Sequence, residues 1–153
     1  MSDAALETDQ APLSLTIERN FKHPVEAVFR AWTETDALRQ WMGPTGYSCE
    51  DAEMEARAGG RYAFPIKDPE GSIHTAQGEV LAIVPNELLH ISWSWKQDDG
   101  SQGQQMDVRL EFHPTPNGTR LVLTHSNFID EAARDNHMGG WSGCLASLEE
   151  FLG

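Results

Sequence analysis

Turn signals crowd the stretch after Tyr47: Gly59-Gly60, Asp68-Pro69-Glu70-Gly71, Pro85-Asn86, Asp98-Asp99-Gly100 and Pro116-Asn117-Gly118. Tight turns join antiparallel neighbours, whereas parallel pairs need crossovers of about a dozen residues. The runs between these signals therefore predict six strands of a meander, over residues 47–57, 60–67, 73–84, 88–97, 104–113 and 119–127. Ahead of them, Leu13, Leu15, Ile17, Arg19 and Phe21 alternate with Ser14, Thr16, Glu18 and Asn20. That period of two predicts a half-buried first strand over 13–21 that closes one side of the sheet.

Helical spacing occurs in two places. Pro24 suits a first helical turn, and Val25, Val28, Phe29 and Trp32 follow at helical intervals up to Thr33. Thr35 or Asp36 then caps a second short helix carrying Leu38 and Trp41, which Gly43-Pro44 ends. After the last strand, a helix over 130–152 aligns Trp141, Leu145, Leu148 and Leu152 in a stripe that the concave face of the sheet must bury. Gly139, Gly140 and Gly143 lie in this helix. Each weakens a helix interior by roughly 1 kcal/mol relative to alanine, so the tight wrap of a sheet past the helix backbone is expected there. The fold class is α+β: a curved antiparallel sheet of about seven strands around a C-terminal helix, with two short helices between the first two strands. Residues 13–153 read as one domain, preceded by an N-terminus, 1–12, expected to be disordered or loosely attached.

The chain holds 153 residues, with 24 acidic against 11 basic and a formal charge of −13. Such a charge repels phosphate backbones and anionic headgroups, so no nucleic-acid or membrane partner is expected. Met1–Gln10 is polar and acidic where a signal peptide would be basic and then apolar, and no apolar run approaches the roughly 20 residues that span a bilayer. A cytoplasmic location is the expectation. Cys49 and Cys144 lie far apart with no metal-ligand spacing and read as small apolar residues. His74, His90 and His113 form no local ligand set, and Gly59-Gly60 precedes a strand instead of opening a helix, so neither a metal nor a phosphate site is expected. No cofactor is implied.

The order of several short segments resembles the activator of heat-shock-90 ATPase homologue-like branch of the START-like superfamily, which includes polyketide cyclase and Bet v-like proteins. The carriers are Phe21-Lys22-His23-Pro24-Val25-Glu26-Ala27-Val28-Phe29-Arg30-Ala31-Trp32-Thr33, Trp41-Met42-Gly43-Pro44, Arg57-Ala58-Gly59-Gly60-Arg61-Tyr62 and Gly78-Glu79-Val80. Leu88-Leu89 leading to Trp93, Gly118-Thr119-Arg120-Leu121 and His137-Met138-Gly139-Gly140-Trp141 complete them. Met42 departs from the tryptophan that often stands there, which bears on pocket shape. The resemblance implies a helix-grip fold whose sheet and C-terminal helix enclose an elongated, largely apolar cavity for a small hydrophobic molecule.

Alternation places Leu121, Leu123 and His125 on one strand face, Leu89, Ile91, Trp93 and Trp95 on another, and Met106, Val108, Leu110 and Phe112 on a third, all expected inward. His125 then stands near His137 and Trp141, where a ligand carbonyl or carboxylate can be held. A histidine on an apolar face is more often a hydrogen-bonded core residue. Trp41 precedes a loop expected over the cavity mouth. The expected ligand contacts are Trp41, Met42, Tyr62, Trp93, Trp95, His125, His137 and Trp141. Arg19, on an apolar face, requires a carboxylate, with Glu53 or Glu55 expected.

Nothing in the sequence demands catalysis, and no catalytic residue is assigned. The leading expectation is binding of a small hydrophobic or amphipathic ligand, of lipid or polyketide type. The resemblance also implies two alternatives: an interaction module that modulates a chaperone ATPase, and a cyclase- or aromatase-like enzyme acting on a bound polyketide. The eukaryotic activators carry an additional N-terminal domain, which ranks the chaperone reading lower. An exposed edge strand leaves monomer and homodimer open.

Overall fold

The computed structural model describes residues 13–153. The segment 1–12, expected to be disordered or loosely attached, lies outside the described residues. The chain runs β1 (Leu13–Phe21), α1 (Val25–Thr33), α2 (Thr35–Trp41), β2 (Glu53–Met54), β3 (Arg61–Lys67), β4 (Ile73–Val84), β5 (Leu88–Trp95), β6 (Met106–Thr115), β7 (Gly118–Phe128) and α3 (Glu131–Leu152). One seven-stranded sheet results, in the order β1-β7-β6-β5-β4-β3-β2, with every pairing antiparallel. The meander follows from the turns, because each successive strand from β3 to β7 pairs with the one before it.

Two irregularities bend the sheet. Pairing of β4 with β5 jumps from Val80↔Ile91 to Ala82↔His90, leaving Leu81 as an extra residue, and such a bulge sharpens local twist. Nearby, a Cβ on Gly78 would come within 2.2 Å of the Ser92 carbonyl oxygen, so the strands approach there as only glycine permits. At the far edge, Asn127 is the extra residue between Ser14↔Ser126 and Leu13↔Phe128, in the left-handed region at φ 75°. Its side-chain amide donates to the Gln105 carbonyl at 2.8 Å, tying the bend down.

The strand expected over 47–57 shrinks to Glu53–Met54. Residues 49–52 spend their backbone bonds on a turn closed by Ala52 N–H to the Cys49 carbonyl, and the Ala52 carbonyl accepts from Arg39 Nε of α2. The second short helix is preceded by Glu34, which makes no side-chain cap, in place of the expected Thr35 or Asp36 cap.

α3 begins at Asp130, whose carboxylate accepts from the Ala133 N–H at 2.8 Å and satisfies one of the orphan donors of the first turn. Trp141, Leu145 and Leu148 of the expected stripe are buried together with Cys144, while Leu152, at the end of the helix, is half-buried. Leu145 and Leu148 are almost wholly removed from solvent, contributing about 1.5–3 kcal/mol each by burial. The inward strand faces read from alternation are buried except Trp95, which is half-buried. Arg19 pairs with Glu149 of α3, not with Glu53 or Glu55. The strand order explains this correction: β1 and β2 form opposite edges of the sheet, while the end of α3 lies against β1.

Candidate functional site

A cleft of about 600 Å³ opens between the first half of α3 and the end of the sheet formed by β3, β4 and β5. Trp93 and Trp95 come from β5, Ile66 from β3 and His74 from β4, while Met42, Pro44 and Tyr47 approach from the α2–β2 loop. The helix supplies Asn136, His137, Gly140, Trp141 and Cys144, which fall on adjacent turns of one helical stripe. Among the described residues, no aspartate, glutamate, lysine or arginine lines the cleft. The wall is largely aromatic: Trp93 and Trp141 stand 5.0 Å apart between ring centroids, and Trp93 meets Trp95 edge-on at 5.7 Å.

Two tryptophan–histidine hydrogen bonds organise this wall. Trp141 Nε1–H donates to His125 Nδ1 at 2.9 Å, and Trp95 Nε1–H donates to His137 Nε2 at 2.9 Å. An indole only donates, so each accepting imidazole nitrogen is unprotonated and the proton of each ring sits on its other nitrogen. In His137 that proton goes to the Ala133 carbonyl, 2.8 Å away on the preceding helical turn. In His125 the Nε2–H is buried and has no acceptor among the described residues, and the same holds for Trp93 Nε1–H. The two imidazoles meet edge to face at 4.9 Å, and His125 stacks on Phe128 at 4.4 Å. Burial, with His137 as neighbour, pushes His125 down to about 3, and burial also holds His137 below the ordinary imidazole value. Both rings are therefore neutral at physiological pH.

Of the expected contacts, the structure brings Met42, Trp93, Trp95, His137 and Trp141 together on the cleft wall. His125 sits one layer behind, fully buried, and holds Trp141. Trp41 does not reach the cleft: its Nε1–H donates to the Ala31 carbonyl at 2.8 Å and its ring packs edge-on against Trp32 at 4.7 Å, within the core. Tyr62 lies on the wall of a separate polar groove with Arg39, Glu53, Glu55 and Arg61, its buried hydroxyl donating to the Ser92 carbonyl. Cys144 lines the cleft as a thiol, its pKa pushed up to about 12 by burial. No group of three or more potential metal-ligating side chains occurs among the described residues.

Pro44, Tyr47, Ile66, His74, Asn136, Gly140 and Cys144 complete the wall without having been expected there. A helical signal exists for part of this set, since Asn136, Gly140 and Cys144 recur every fourth residue. The expectation that the sheet crowds all the helix glycines is overturned. A Cβ on Gly143 would meet Pro44, from a loop, at 2.8 Å, whereas one on Gly139 or Gly140 would meet nothing within 4 Å.

A seven-stranded antiparallel sheet curved about a long C-terminal helix, with the two short helices between its first strands, defines a helix-grip protein of the START-like class. Residues 22–153 match the family of Activator of Hsp90 ATPase homolog 1-like proteins, and the chain belongs to that family. Among solved structures it is similar to the AHSA1 protein of Silicibacter pomeroyi, at 27% identity and a TM-score of 0.85 over 92% of this chain and 97% of that one. It is also similar to a Chromobacterium violaceum protein, at 26% identity and a TM-score of 0.81 over 91% and 96% of the two chains. A Rhizobium leguminosarum protein gives 29% identity and a TM-score of 0.79 over 92% and 94%. No curated protein matches the chain. Among the described residues, no helix is long and apolar enough to cross a membrane.

Proposed function

We propose that the protein binds a small, uncharged hydrophobic or amphipathic molecule in the cleft between the sheet and α3. The observation that carries this reading is the contrast between a chain of formal charge −13 and a cleft of about 600 Å³ that no aspartate, glutamate, lysine or arginine among the described residues lines. That volume is within the range of small-molecule sites, which are typically apolar with a few polar groups. His125 and His137 are neutral and the third imidazole of the wall, His74, already faces the Asp68 carboxylate at 2.9 Å, so a ketone, ether or hydroxyl fits better than an acid. Met42, Trp93, Trp95, His137 and Trp141 make the contacts, and His125 orients Trp141.

The hydrogen bonds favour binding over proton transfer. His125 and His137 each have the lone pair occupied by an indole N–H, so neither of these two is free to act as general base. The test is native mass spectrometry of gently purified protein, followed by titration of tryptophan fluorescence with uncharged aromatic and lipid-like compounds. A co-purifying neutral molecule, or a saturable quench lost in Trp93→Ala, is the expected result. Folded protein that carries no small molecule and shows no saturable quench with any compound would overturn the reading.

A further inference from the structure

The glycines of α3 divide into two kinds. Gly143 is explained by packing, since a Cβ there would meet Pro44 at 2.8 Å. Gly140 has no such cause: a Cβ would meet nothing within 4 Å, and the residue lines the cleft. A glycine inside a helix gives up stability that alanine would supply, and nothing in the protein itself requires this one. What the missing side chain does provide is a bare strip of helix backbone on the same cleft that Trp93 and Trp95 of β5 line. The wall opposite is aromatic, with Trp93 and Trp95 edge-on at 5.7 Å between ring centroids.

We propose that Gly140 determines what the cleft accepts: its bare backbone leaves a slot in which a flat, uncharged aromatic ligand lies between α3 and the indoles of β5. This deepens the ligand-binding reading above and rests on it. Aromatic rings opposite aromatic walls prefer offset or edge-on contacts, which planar ligands supply and branched aliphatic ones do not. Any side chain at position 140 fills the slot from the helix side, so the effect grows with side-chain length.

The experiment compares wild type with Gly140→Ala, Gly140→Leu and the neighbouring Gly139→Leu, using the uncharged naphthyl ketone prodan as fluorescent probe. Gly139 is exposed, does not line the cleft and has no neighbour within 4 Å, so its variant reports helix propensity alone. All three variants are expected to melt at or above the wild-type temperature, Gly140→Ala by about 2–4 °C more. Prodan affinity is expected to fall at least tenfold in Gly140→Leu, to fall less in Gly140→Ala, and to stay at the wild-type value in Gly139→Leu. Wild-type affinity in a folded Gly140→Leu variant overturns the inference while leaving the binding function standing. An equal loss in Gly139→Leu also overturns it, because the effect would then belong to the helix and not to the slot. Wild-type protein that fails to bind prodan overturns the inference, and the binding function falls with it only if the wider compound titration also fails.

Discussion

Lowering the pH from 7 to 4.5 should destabilise this protein through His125. The residue is fully buried, its Nδ1 accepts the Trp141 indole proton, and its pKa is lowered from 6.5 to about 3. A histidine whose folded pKa lies below its unfolded value binds protons more readily when unfolded, so acid pulls the equilibrium toward the unfolded chain. The contribution is fully present above pH 6.5 and is lost progressively as pH falls from there toward about 3. At pH 4.5 the unfolded histidine is two units below its pKa of 6.5 while the folded ring is still neutral. At about 1.36 kcal/mol per unit, the loss from this one group is roughly 2–3 kcal/mol. His137, also lowered by burial, acts in the same direction.

The assay is urea unfolding at both pH values for wild type and for His125→Gln, whose side-chain carbonyl can still accept from Trp141 but does not titrate. The chain has 24 acidic residues whose own titration alters stability over the same range, and subtracting the variant removes their common effect. Wild type should lose roughly 2–3 kcal/mol more than the variant between pH 7 and 4.5. Equal losses in the two proteins would show that His125 is not held neutral by the fold, and the two-indole, two-imidazole arrangement would have to be rebuilt.

Three further outcomes follow from the packing of α3. Leu148→Ala removes a fully buried side chain and should cost about 2–5 kcal/mol in denaturant unfolding. Asp130→Ala deletes the acceptor for the Ala133 N–H and should cost about 0.5–2 kcal/mol, visible in the same assay, with Asp130→Asn recovering most of it. Gly143→Ala forces a Cβ to within 2.8 Å of Pro44, and the resulting strain, about 1–3 kcal/mol, should outweigh its helix-propensity gain, so it melts lower than wild type.

The fold was legible because its local signals agree. β1 and β4 fall on the residues their alternation and flanking turns predict, and α3 starts one residue inside its predicted range because Asp130 caps it from outside. Sequence reasoning failed where the chain turns without glycine or proline. Residues 49–52 fall inside the run before Gly59-Gly60 that the turn signals predict as one strand, yet their hydrogen bonds go to a local turn and to Arg39, a side chain from a helix that no local pattern connects to them. The site was legible in part for a similar reason. Alternation identifies which residues of β5 and β7 face inward, but it cannot say how far along the strand the cleft opens, so Trp93 and Trp95 reach it while Ile91 lies in the core. Trp41 looked like a lid residue from its place before Gly43-Pro44. Its indole instead finds the Ala31 carbonyl, and the next residue, Met42, faces the cleft.

The tryptophan–histidine pairs suggest why a hydrophobic cleft would be built with polar side chains at all. Trp95 and Trp141 each have an N–H that would be costly to bury without an acceptor. A carboxylate partner would satisfy it but would bring a charge into the wall, and a hydroxyl partner would bring a proton that rotates. A neutral imidazole fixes the indole without adding charge, and His137 is itself fixed by the Ala133 carbonyl. On the proposed function the wall would be ordered before a ligand arrives, and binding would not have to immobilise it, at about 0.5–1.5 kcal/mol saved for each side chain already held. Selectivity in such a cleft comes from shape against rigid rings, which is why a single absent side chain at Gly140 carries more weight than any charged group on the surface.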